Sequence, residues 1–76
     1  MKHARPDYDR IQDPSGKIPK DEPVFLLRAQ DVTAAAVVRY WIELNEKLGG
    51  DPALINMCRT HAALMQAWDI RKLADA

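Results

Sequence analysis

Cys58 and His61 stand three residues apart, a spacing that places a thiolate and an imidazole on one face of a helix as two ligands for a tetrahedral metal such as zinc. Two ligands are half a site. No second cysteine follows and His3 lies far off near the N-terminus, so a buried thiol beside a boundary histidine is the preferred reading and no metal is assigned. Ser15-Gly16-Lys17 ends like a phosphate-binding loop, but the first glycine of that motif and its flanking strand and helix are missing. Asp7, Asp9 and Asp13 have the composition of a calcium loop with the glycine and the closing glutamate out of place. No spacing of serine, histidine and carboxylates marks a nucleophile. The chain is therefore read as a non-enzyme, with no catalytic residue and no cofactor.

What remains is chemistry of contact. Trp41 and Trp68 could form a cage or a stacking platform, but both fall on apolar helical stripes, which favours a place in the core and predicts a cost of about 3 to 5 kcal/mol for Trp41→Ala. The run Val24-Phe25-Leu26-Leu27, closed by Arg28, could accept an extended peptide along its edge. Val24, Phe25, Leu26, Leu27, Arg28, Trp41 and Trp68 are accordingly the candidate interaction surface.

The elements that must position these residues follow from periodicity. Over 33–48, Val37, Trp41, Leu44 and Leu48 recur at the spacing of one helix face, and Ala34, Val38 and Ile42 widen the stripe. Arg39, Glu43 and Lys47 lie on the wet side, each four from the next, which suits ion pairs along the helix. Asp31 or Thr33 caps the start. GGDP at 49–52 then turns the chain: glycine ends one helix, aspartate caps the next and proline opens it. The second helix is expected over 52–73, with Leu54, Cys58, His61, Met65 and Trp68 as its stripe and Ile55, Met57 and Leu64 beside it. Arg59, Gln66 and Asp69 should face water, and Arg71 and Lys72 suit the negative end of the dipole. So short a connection predicts close, antiparallel neighbours.

The fold class is thus mainly α: an antiparallel two-helix hairpin, a short extended segment at 24–28 before it, and a mobile N-terminal tail over 1–23, with 24–76 as a single small helical domain. The tail holds four of the five prolines and a good turn at Asp13-Pro14-Ser15-Gly16, with Tyr8, Ile11 and Ile18 as its only anchors. A lone strand must find a partner, and the simplest one is the same strand of a second copy. Two helices and a strand share one seam, too little to bury so many large apolar side chains. Self-association as a homodimer, two hairpins forming a four-helix arrangement, is the expectation.

Charge narrows the partners. Eleven Lys and Arg balance eleven Asp and Glu across 76 residues, and the balance holds locally in the tail, which argues against nucleic acid and anionic membranes. A single cysteine fits a reducing compartment, the cytoplasm by default. No stretch approaches the ~20 apolar residues of a membrane span. The run IPKDEPVFLLRAQD at 18–31, with Val38-Arg39-Tyr40-Trp41, GGDP, His61 and MQAW at 65–68, resembles a group of short uncharacterised helical proteins encoded in bacteria and in phage or prophage regions. The resemblance spans about residues 10–68 and implies an accessory or regulatory partner, with DEPVFLLRAQD as its contact surface and no catalytic residue to carry over. Two functions follow: a non-enzymatic homodimeric interaction module bound to another protein or, as the alternative, a DNA-binding regulator of phage type, against which stands a second helix with only Arg59 near its middle.

Overall fold

The computed structural model describes residues 1–8 and 13–75. Among these, α1 spans Ala34–Lys47 and α2 spans Pro52–Gln66, and a two-stranded parallel sheet pairs β1 (Lys2–His3) with β2 (Pro23–Val24). A 3-10 turn covers Pro6–Tyr8. No helix among the described residues is long and apolar enough to cross a membrane.

The turn between the helices follows its sequence closely. Gly49 takes φ 75°, a left-handed conformation that costs side-chain-bearing residues dearly, and its N–H reaches the Glu46 carbonyl at 3.2 Å. Gly50 serves a different need: its N–H donates to the Asn45 carbonyl at 2.7 Å, and a Cβ there would lie 3.0 Å from that same oxygen. Asp51 then caps α2, its Oδ1 accepting from the N–H groups of Ala53 (2.8 Å) and Leu54 (3.2 Å), with Pro52 in the first turn. Asp51→Ala should cost about 0.5 to 2 kcal/mol. A thermal melt that leaves the midpoint in place would show that the cap contributes nothing.

At the start of α1 the division of labour differs from the expectation. Thr33 occupies the cap position but its side chain accepts no cap bond; its hydroxyl and its N–H both donate to Asp31 Oδ1, at 2.7 and 2.8 Å. The two donors, the hydroxyl first, hold the Asp31 carboxyl below the usual aspartate range. Asp13 is lowered in the same direction by the Ile18 N–H (2.7 Å) and the Ser15 hydroxyl (2.9 Å), in a turn closed by Gly16 N–H on the Asp13 carbonyl. A depressed folded-state pKa stabilises above the unfolded value, near about 4, and the benefit is lost as pH falls through the lower folded value. Stability should therefore decline on acidification below about pH 4, with a shallower slope in Asp31→Asn. Urea melts at stepped pH check this, and equal slopes in the two proteins would contradict it.

Three expectations are corrected. The second helix ends at Gln66, not near residue 73, because the chain beyond it folds back beside the entrance to α1: Lys72 N–H donates to the Gln30 carbonyl (2.7 Å) and Val32 N–H to the Lys72 carbonyl (2.9 Å). Arg71 reaches the last α2 carbonyl, that of Gln66, from outside the helix (3.3 Å) and also the Val32 carbonyl (3.4 Å). The strand near 24 is shorter than expected and is paired within the chain, since the segment read as a tail supplies β1; Lys2 N–H meets the Glu22 carbonyl and Ala4 N–H the Val24 carbonyl. Within that segment, Tyr8 lies under the Arg5 guanidinium at 5.3 Å, and Ile18 is half-buried. The anchor assigned to Ile11 lies outside the described residues.

The third correction concerns which faces meet. The buried residues of α1 are Ala34, Ala35 and Ile42, and those of α2 are Ile55, Ala62 and Met65. Leu27, Ala29 and Val38 pack on the cluster of Ala34, Ala35 and Met65. Of the stripe expected to face inward on α1, Ala34 and Ile42 are buried and Val38 half-buried, whereas Val37, Trp41, Leu44 and Leu48 are exposed; on α2 Met65 is buried, whereas Leu54, His61 and Trp68 are exposed. Small side chains at 34, 35 and 62 provide the tight surface, and the bulky stripe turns away from it.

Candidate interaction surface

Two sides of the helix pair carry opposite chemistry. On one, Glu46 and Arg59 form a 2.7 Å ion pair across the helices, and Arg39 donates to Gln66 Oε1 at 3.2 Å. Arg39 thus bridges to α2 instead of pairing along α1 with Glu43, and Arg59 and Gln66 are engaged across the interface.

On the other side an apolar groove of about 420 Å³ opens between α1 and α2. Val37, Val38 and Trp41 form one wall, Leu54, Met57, Cys58 and His61 the other, and Leu27 closes one end. Cys58 and His61 do share this groove, and among the described residues no group of three His, Cys, Asp or Glu side chains is placed to hold a metal. The groove walls remain wet: Trp41 is 41% exposed and Met57 68%. Trp41 is therefore not the core residue its stripe implied, and neither is Trp68.

The structure divides the seven candidate residues among three depressions and the strand β2. Leu27 and Trp41 come together at the groove. Phe25, Leu26, Leu27 and Arg28 line a mixed cleft of about 170 Å³ with Arg5, Tyr8, Asp31 and Lys72, where Phe25 is 72% exposed. Arg28 and Trp68 share a shallow depression with Ala29 and Gln30. Val24 lies half-buried in β2. The two tryptophans lie in different depressions, so they form no common cage.

The reading of the sequence missed Val37, Leu44, Leu54 and Met57 as surface residues. A signal for them was present: the apolar residues of each helix span a wider arc than one face, and a single partner helix covers only part of it. The chain matches no protein-family model, no curated protein and no solved structure.

Proposed function

We propose that this protein is a non-enzymatic interaction module, a cytoplasmic homodimer of phage or prophage type that acts as an accessory to another protein. Its frame is an antiparallel helical hairpin, supported by Arg39 meeting Gln66 while Glu46, further along α1, meets Arg59, earlier on α2. The observation that carries the proposal is the exposure of Phe25, Trp41, Met57 and Trp68 on one small chain, far more bulky apolar surface than the isolated molecule needs. The partner docks across the two depressions that share Arg28, one lined by Phe25 and the other by Trp68, where exposed aromatic side chains flank a cation.

The test is a pull-down from the native host with the wild-type chain and with Phe25→Glu/Trp68→Glu. A protein retained in stoichiometric amount by the first and lost with the second is the expected result. Equal recovery by both would refute the proposal. The DNA-binding alternative has little to draw on, since Arg59, the cation near the middle of α2, is held by Glu46.

A further inference from the structure

We infer that the occupant of the apolar groove is a second copy of this chain, two helix pairs packing face to face into a four-helix bundle; this deepens the interaction-module reading and rests on it. On α1, the exposed residues Val37, Trp41, Leu44 and Leu48 are separated by four, three and four. On α2, the exposed Leu54, Met57, His61 and Leu64 are separated by three, four and three. Alternation of three and four averages 3.5 residues, the repeat of a seam that stays against another helix along its length. Side chains that already had their partners inside the chain would have no reason to keep that repeat on the surface.

The width of the face decides what covers it. Val37 and Trp41 of one seam and Leu54, Met57 and His61 of the other line the same groove, so the apolar face spans both helices, and a face two helices wide covers it from edge to edge. A second copy supplies one of equal length and spacing, and a twofold axis makes the match self-consistent. Neither seam carries Lys, Arg, Asp or Glu, which leaves a phosphate-bearing ligand nothing to pair with. The chain has no net charge, so two copies do not repel.

Area agrees. The molecule exposes 6162 Å², whereas a compact protein of 8.6 kDa exposes about 4,700 Å². The excess, about 1,500 Å² over the whole molecule, includes the exposed seam residues Trp41, Leu44, Leu48, Met57 and Leu64. The ion-paired side of the hairpin stays outside such a bundle, where Glu46 and Arg59 keep their water.

The test uses the purified full chain alone, by gel filtration with light scattering over a micromolar dilution series. Wild type should run at twice the chain mass, Trp41→Glu should weaken self-association at least about 30-fold, and Ala63→Glu on the polar side should leave it unchanged. A wild-type monomer throughout overturns the inference. A dimer that survives Trp41→Glu, or is lost in Ala63→Glu, overturns the choice of face. Should Trp41→Glu fail to fold, amide spectra of the wild type on dilution decide the matter: shifts at Val37, Trp41 and Met57 support the bundle, and shifts confined to 25–28 or 68–73 overturn it. None of these outcomes depends on the host pull-down, so the groove assignment and the accessory role fail separately.

Discussion

Ile42→Ala, or Ile55→Ala on the facing helix, is expected to remove about 2 to 5 kcal/mol of folding stability. Each side chain is only 4% exposed, so truncation removes burial and leaves a void that its neighbours fill only in part. A chain of 76 residues has about 4 to 11 kcal/mol in total, so the loss is a large share and leaves either variant marginal at room temperature. Urea unfolding followed by far-ultraviolet circular dichroism, at concentrations too low for self-association, gives the number. Leu48→Ala is the internal reference: at 86% exposure it should stay within about 0.5 kcal/mol of the wild type. If the two substitutions shift the midpoint equally, the buried face described for the helices is wrong.

The second large effect comes from adding volume. Ala34 is fully buried in the cluster with Ala35 and Met65, under Leu27, Ala29 and Val38, so the extra carbons of Ala34→Leu have no space to enter. Overpacking of this kind costs about 1 to 3 kcal/mol, and Met65, with its flexible thioether chain, is the neighbour best able to yield. At roughly 4 to 8 °C per kcal/mol for a domain of this size, the melting midpoint should fall by at least several degrees. A midpoint that held or rose would mean that the cluster contains room the structure does not show.

Much of the helical frame was legible in the sequence. Helix bounds of 33–48 against the observed Ala34–Lys47 differ only at the caps, and every residue of GGDP has the role its chemistry suggests. The inward face was legible only in part: Ala34, Ile42 and Met65 stood on the expected stripes and are buried, but periodicity reports that a helix has apolar stripes without ranking two of them. Alanine at 34, 35 and 62 has too little apolar area to mark a face by itself, yet all three are buried. Strand pairing was hidden for another reason: Lys2 and His3 have no strand propensity of note, and their pairing with β2 is set by where the chain returns. The early end of α2 depends on the backbone of residues 30–32, almost forty positions away, which no local pattern encodes. Within the candidate surface, Phe25 and Arg28 could be placed from the run that holds them, whereas the separation of Trp41 from Trp68 required the packing itself.

The reciprocal bonds between Val32 and the segment around Lys72 have a kinetic consequence. Each strand donates one amide to the other, and Arg71 spans the same junction, so rupture at either partner releases both. The amide protons of Val32 and Lys72 belong to one opening event, and deuterium should replace them at matching rates while the helix interiors remain protected. Where α1 begins and α2 finishes, the molecule breathes as one joint.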